Sequence, residues 1–501
     1  MPTRPALESP ITLFDRARRR LSRERPPDYL TVFPGPRRLS GARLLSEIRL
    51  AASLLQSHGL RPGSRVLVSL GHPLGVLLAV PALWSLDCVP LLREGGASGI
   101  ALGEIASVFS PDAILEEAEN SEAGGRTLLL PPLPLLRLHL GKRPARPRLP
   151  RGTVLVRATS GSSGTPRGVA VSASQLLADA ANISKSLDLT PGRRALGAVP
   201  LSHAFGFSTL LSRHLFLGAP LALLERPLPT LFRAALGRYR ELFFPGVPFL
   251  YDLLLGAGIS ARLLARMTLC VSAGAPLRLE TAAGFRDLTG VPVRNFYGTS
   301  ECGAIAADRS AAGNAPEGCA GPAMHGVMLA IEDCEDHPAE PGGRIVVRGD
   351  AVALGYIAPG ARFQSFQGKF ATGDRGYIDP DGRLFLDGRL DTMINVGGVK
   401  VFPSEVERVL AAAPGVREAA VFGMPDSLRG ESVAAAVAGR VSLKLPDLAA
   451  YCRARLAAHR LPRRILLLPA LPRTPRGKVD LAALRKLVAG AGASRRVDGE
   501  R

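Results

Sequence analysis

Apolar residues recur along the first hundred positions with two different periods. In 42–57, ARLLSEIRLAASLLQS, residues Leu44, Leu45, Ile48, Ala51, Leu54 and Leu55 fall on one face at helical spacing. His58-Gly59 and Arg61-Pro62-Gly63 end that helix. SRVLVSL then forms a short continuous apolar run, which predicts a buried strand. The apolar stretch from Leu74 predicts a helix, and VPLL at 89–92 a second strand. Helix, strand, helix, strand is the order of an α/β fold with a mostly parallel sheet. Val66–Leu92 is the most apolar region, but His72-Pro73, Pro81 and Asp87 break it into pieces shorter than the ~18 residues of a membrane span. It predicts buried core and no transmembrane segment.

Further on, 119–152 holds Glu-Asn-Ser, Gly124-Gly125 and KRPARPRLPRG, a composition that predicts a Pro/Arg-rich surface connection. A strand at Thr153–Arg157 follows, and then a loop dense in Ser, Thr and Gly. RIVVRG at 344–349 and RLFLDG at 383–388 predict Gly-flanked strands of a β-rich subdomain. Around Asp387–Asp391 the character changes to short strands and helices of a small α+β unit. In it, VFPSEVERVLAAAPGV places Val406, Val409 and Leu410 at helical spacing behind a Pro-Ser-Glu start. The end of the chain, GASRRVDGER, is expected to be disordered.

With 46% hydrophobic and 21% charged residues among 501, the composition is globular, and 54 Gly with 42 Pro imply many tight turns. A net charge of +20 suits an acidic partner such as a nucleotide, coenzyme A or an acidic carrier protein. An arginine bias spread over the whole chain equally reflects coding composition. No DNA-binding module accompanies it, so no nucleic-acid partner is expected. Cys88, Cys270, Cys302, Cys319, Cys334 and Cys452 show no C-x-x-C pair or metal-ligand spacing, and read as free thiols of a reducing compartment. The first twenty residues carry no apolar stretch before a cleavage site, so a cytoplasmic location is expected.

The densest local signal is Thr159-Ser160-Gly161-Ser162-Ser163-Gly164-Thr165-Pro166-Arg167-Gly168, directly after a predicted strand. Glycines let backbone N–H groups approach an anion, hydroxyls add donors, and Arg167 adds a fixed charge. The chemical target is a polyphosphate, although the pattern is not a Walker A loop. Downstream, in order, stand PLSHAFGF (200–207), SAGAPL (272–277), NFYGTSECG (295–303), ATGDRGYI (371–378), GRLDTMINVGGVKV (388–401) and RTPRGKVD (473–480). With these seven motifs the chain resembles the adenylate-forming superfamily of acyl- and aryl-CoA synthetases, luciferases and nonribosomal-peptide adenylation domains, from about residue 10 to 487.

The resemblance implies an α/β fold with a large N-terminal domain, 1–387, of packed α/β subdomains plus a β-rich subdomain. A hinge at 388–391, centred on Asp391, would join it to a small mobile α+β domain, 392–487, followed by a tail, 488–501. It implies an AMP-forming ligase that uses ATP and Mg²⁺. A carboxylate would attack the α-phosphate, and the acyl-adenylate would then meet the thiol of coenzyme A or of a carrier protein's phosphopantetheine. Thr159 to Thr165 and Arg167, where the family usually has Lys, would grip the β/γ-phosphates. Tyr297 would lie on the adenine with Gly274 and Ala275 nearby, Thr299 would touch the α-phosphate, and Glu301 would hold Mg²⁺. Asp374 would accept from both ribose hydroxyls, with Arg389 beside it. Lys478 would bridge carboxylate and α-phosphate, and His203 would stand near the carboxylate. Phe205, Gly206, Val247, Ala273, Gly274, Gly298 and Gly303 would border an acyl pocket for an aryl or fatty acid uncharged at its far end. Gly397 and Gly398 would line a thiol tunnel. PLSHAFGF lacks the Asp that amino-acid-activating members set against an ammonium, which disfavours an α-amino acid substrate.

Overall fold

A computed structural model describes residues 9–24, 26–35, 37–93, 109–120, 125–129, 133, 136–141, 149–160, 166–310, 315–333, 342–357, 363–397, 399–439, 443–473 and 479–490, with backbone only at 120, 159, 160, 166 and 400. The chain divides into two compact units, Met1–Leu329 with Val347–Phe370, and Ala330–Val346 with Ala371–Arg501. The expected hinge at 388–391 falls inside the second, smaller unit.

The larger unit contains two extensive sheets. One runs in the order Gly303–Ala307, Val293–Thr299, Leu269–Ser272, Phe243–Gly246, Ala195–Gly197, Leu221–Leu224, Leu30–Phe33, Arg37–Leu39. Its inner pairings are parallel and its two outermost pairings antiparallel. The other is parallel through Ala113–Glu117, Arg65–Ser69, Val89–Leu92 and Thr153–Ser160, and antiparallel beyond them on both sides. Parallel strands are covered on both faces and so read as unbroken apolar runs. Every residue of Arg65–Ser69, Leu221–Leu224 and Leu269–Ser272 is accordingly buried.

Helix Gly41–Ser57 is capped by the Ser40 hydroxyl, which accepts from the Arg43 amide at 3.3 Å, and buries Leu44, Leu45, Ile48, Ala51 and Leu55 as its spacing requires. Helix Pro73–Ser85 is buried on every side from Pro73 to Trp84, the behaviour of a helix that is apolar all round. That explains the apolar stretch: it is core, and no helix among the described residues is long and apolar enough to cross a membrane. The region 119–152 departs from the expected plain connection. Arg126–Leu128 and Leu136–Leu140 pair antiparallel there. LRLHL buries Leu136 and Leu138 and leaves Arg137 and His139 half-buried on the other face, a period of two hidden by the surrounding Pro and Arg.

In the smaller unit, strand Gly430–Gly439 pairs with Val416–Asp426, and Arg464–Leu468 lies parallel on its other side. Val433, Ala435 and Val437 face helices Pro403–Ala411 and Leu445–Arg453 through Val406, Leu410, Leu448 and Cys452. Ala434, Ala436 and Ala438 face Leu484 and Val488 of helix Leu481–Gly490. This helix extends three residues into the expected tail, because Leu484 and Val488, one turn apart, are both needed to close that face. Lys369–Ile378 and Arg383–Arg389 form an antiparallel ladder. Buried Arg375 on it meets Asp387 at 2.7 Å and stacks over Phe402, 5.3 Å from the ring centre.

Candidate active site

In the larger unit, three neighbouring parallel strands end at the same level. Gly246, Ser272 and Asn295 are in register, so the segments that follow, Val247, Ala273-Gly274-Ala275 and Phe296 to Thr299, emerge at one sheet edge. The carboxyl ends of parallel strands are where open α/β sheets bind ligands. Gly274 has φ +86° and is exposed, and a Cβ placed on it would meet only Val247, at 3.8 Å. Ala273 is buried, and the buried Ser272 hydroxyl has no partner.

His203 precedes a short helical turn that runs into a π-helix, Phe207–Leu217. Phe205 lies edge-on to Phe296 with ring centres 5.1 Å apart. At Gly206 a Cβ would come 2.2 Å from the Pro200 carbonyl, and at Gly298 2.5 Å from the Gly303 carbonyl, so both glycines permit close passage of the chain's own backbone.

The turn after Thr299 is held from several sides. The Cys302 amide donates to the Thr299 hydroxyl at 3.2 Å, and the Ala353 amide to the Glu301 carbonyl at 2.8 Å. Asp179, buried on helix Ala173–Ser186, accepts from the Ala304 amide at 2.9 Å and from the Ser208 hydroxyl at 2.5 Å. Arg157, buried on Thr153–Ser160, donates to the Ser300 carbonyl at 3.4 Å and stacks over Phe207. Burial pushes the Asp179 carboxyl up against its two hydrogen bonds and the Arg157 charge, and pushes the Arg157 guanidinium down against Asp179 and Glu301. Gly303, at φ +67°, lies so close that a Cβ would be 2.5 Å from the Asp179 carboxylate.

Thr153–Ser160 and Pro166–Ser172 form the hairpin that presents the glycine-rich loop, with Thr159 opposite Arg167. Gly161, Ser162, Ser163, Gly164 and Thr165 lie outside the described residues, as do Lys478 and Gly398. The Arg167 guanidinium sits over the ring of Tyr356, 5.4 Å from its centre. Tyr356 in turn donates its hydroxyl to Glu301 Oε1 at 2.7 Å. The loop's cation and the acid of NFYGTSECG are thus brought to one aromatic side chain. No group of three or more His, Cys, Asp or Glu placed to hold a metal ion by themselves occurs among the described residues. A Mg²⁺ ion bound with nucleotide needs only one or two carboxylates beside phosphate oxygens and water, and a half-buried Glu301 fits that demand.

In the smaller unit, Asp374 and Arg389 are opposite each other in the ladder, 3.9 Å apart at the charged groups. Arg389 grips Asp391 with two bonds of 2.8 Å, and Thr372 accepts from the Asp374 amide. Gly397 takes φ +61° in an exposed turn.

Arg157, Asp179 and Tyr356 escaped the sequence reading. Two of them carried a signal: Arg157 is a charge inside the apolar run VLVRA, and Asp179 stands on the apolar face marked by Leu176, Ala180 and Ile183.

The AMP-binding enzyme family model matches residues 19–357, and the AMP-binding enzyme C-terminal domain model residues 405–478. A sulfoacetate–CoA ligase of Cupriavidus necator is 31% identical over 70% of each chain. A feruloyl-CoA synthase of Amycolatopsis is 30% identical over 92% of this chain and 96% of its own. The fold matches that of ATP-bound MatB from Rhodopseudomonas palustris with a TM-score of 0.79 at 23% identity, over 96% of this chain and 99% of the other. The sheet edge, the glycine-rich hairpin and these likenesses together make the chain a member of the AMP-binding enzyme family, an AMP-forming carboxylate–thiol ligase of the acyl-CoA synthetase class.

Proposed function

We propose that this ligase activates an aryl or fatty acid without charge at its far end and transfers it to coenzyme A. A carboxylate oxygen attacks the α-phosphorus of ATP and pyrophosphate leaves with the bonding pair. The thiolate of coenzyme A then attacks the acyl carbon and AMP leaves. In this reading Arg167 and the glycine-rich loop neutralise the β/γ-phosphates, Glu301 holds Mg²⁺, Tyr297 and Gly274-Ala275 flank the adenine, and Thr299 meets the α-phosphate. In the smaller unit Asp374 takes the ribose hydroxyls. Lys478 supplies a mobile charge between carboxylate and phosphate, Asp391 serves as the pivot between half-reactions, and Gly397 and Gly398 pass the pantetheine arm.

The observation that carries the reading is the convergence of Arg167 and Glu301 on Tyr356, which supports a shared role for this cation and this carboxylate at one ligand. For the acid, the Phe205–Phe296 pair and the apolar Val247 side chain beside Gly274 support an apolar, flat or chain-like substrate. The match to a feruloyl-CoA synthase over almost the whole chain supports the aryl side. Acid-dependent ATP–pyrophosphate exchange over aryl and fatty acids of graded length tests this. Exchange with an uncharged aryl or fatty acid is expected, and exchange only with acids bearing a second charge would refute the substrate assignment. AMP release accelerated by coenzyme A and not by a phosphopantetheinylated carrier identifies the acceptor.

A further inference from the structure

Glu301 and Arg167 meet at a side chain that belongs to neither of their motifs. Tyr356 stands on the short strand Gly355–Ile357, opposite Val169 of the glycine-rich hairpin. Its ring is set edge-on to Phe366 at 4.9 Å and near Phe370 at 5.9 Å, and those two rings are 4.6 Å apart. A ring seated by two others keeps one rotamer, so its hydroxyl has one direction. A hydroxyl bonded to a carboxylate is among the stronger hydrogen bonds and fixes the acceptor's plane.

We propose that Tyr356 is a positioning residue for nucleotide activation: its hydroxyl orients the Glu301 carboxylate for the divalent cation, and its ring seats Arg167 toward the triphosphate. The inference rests on the reading of Glu301 as cation ligand given above. With Oε1 held by the phenol at 2.7 Å, the carboxylate cannot swing freely, and its other oxygen is pre-set for the cation. Tyr356→Phe removes the direction and leaves the ring; Tyr356→Leu removes the platform as well.

The test uses Mn²⁺ as the cation probe, with free Mn²⁺ followed by electron paramagnetic resonance in the presence of ATP, and AMP binding measured separately by calorimetry. Tyr356→Phe should raise the Mn²⁺ concentration for half-saturation about tenfold and leave AMP binding unchanged, because AMP engages neither cation nor β/γ-phosphates. Glu301→Gln should raise it at least as much, and adding Tyr356→Phe to Glu301→Gln should change nothing more. Tyr356→Leu should also weaken metal-free ATP relative to AMP. A wild-type Mn²⁺ titration in Tyr356→Phe, with Glu301→Gln impaired, overturns this inference alone. An unaltered titration in Glu301→Gln overturns the cation-ligand reading and this inference with it. Equal loss of AMP and Mn²⁺ binding in Tyr356→Phe marks general damage to the fold and overturns the positioning role.

Discussion

Asp179 anchors the Thr299–Ala304 turn, and the cost of losing it can be built from its contacts. It accepts from the Ala304 amide and the Ser208 hydroxyl and faces the charge of Arg157, whose Nε and Nη2 are buried without partners. Asp179→Leu orphans the Ala304 N–H, at about 1–3 kcal/mol. It also strips the guanidinium of the larger of its two counter-charges, leaving Glu301, and breaking a buried charge arrangement from one side costs about 3–5 kcal/mol. The two effects share the same groups, so we expect about 4 kcal/mol in total. Asp179→Asn keeps an acceptor for Ala304 and offers an amide donor to Ser208, so it loses only the charge and should cost less than Asp179→Leu, about 3 kcal/mol. In Arg157→Met/Asp179→Leu no buried charge remains, and the double variant should be about 2 kcal/mol more stable than Asp179→Leu. Trp84 is the one tryptophan of the chain. It is fully buried and donates to the Val154 carbonyl at 2.8 Å, at the start of the Arg157 strand. Its fluorescence during guanidinium unfolding therefore reports the larger unit. A double variant no more stable than Asp179→Leu, or Asn and Leu variants of equal stability, would refute the electrostatic account.

Three further outcomes are expected. Gly303→Ala places a Cβ against the Asp179 carboxylate at φ +67°, and should destabilise the larger unit by about 2 kcal/mol or more, read by the same fluorescence. His214 stacks on Tyr29 and bonds the Ala219 carbonyl through Nδ1, and burial pushes it from 6.5 to about 4. The unfolded chain takes up a proton near pH 6.5 that the folded chain refuses until about pH 4. Stability should fall by about 2 kcal/mol from pH 7 to pH 5, and His214→Gln should abolish that part of the loss in parallel unfolding curves. Lys478→Ala should abolish pyrophosphate exchange while sparing thioester formation from a supplied acyl-adenylate; equal loss of both half-reactions would contradict its assigned role.

Elements whose pattern is local were legible in the sequence. Arg65–Ser69, Pro73–Ser85 and Val89–Leu92 match the expected strand, helix and strand, because their central residues are continuously apolar and buried. The hairpin around the glycine-rich loop was visible as a strand before it, and that strand runs on to Ser160. Strand Leu136–Leu140 was not visible, since only two buried leucines mark it. Tyr356 could not be found at all: its significance arises from a hydroxyl meeting an acid 55 positions away, and no window of sequence contains both. Asp179 and Arg157 broke the apolar pattern of their elements, and such breaks are where local rules yield to a site.

The smaller unit takes residues 330–346 as well as 371–501, so the polypeptide passes between the two units at three points. A chimaera made with a relative by a single cut at 388–391 would split the ladder that sets Asp374 opposite Arg389, and would part Arg375 from Phe402. Exchange of this unit between relatives therefore has to carry residues 330–346 together with 371–501, both from the same parent.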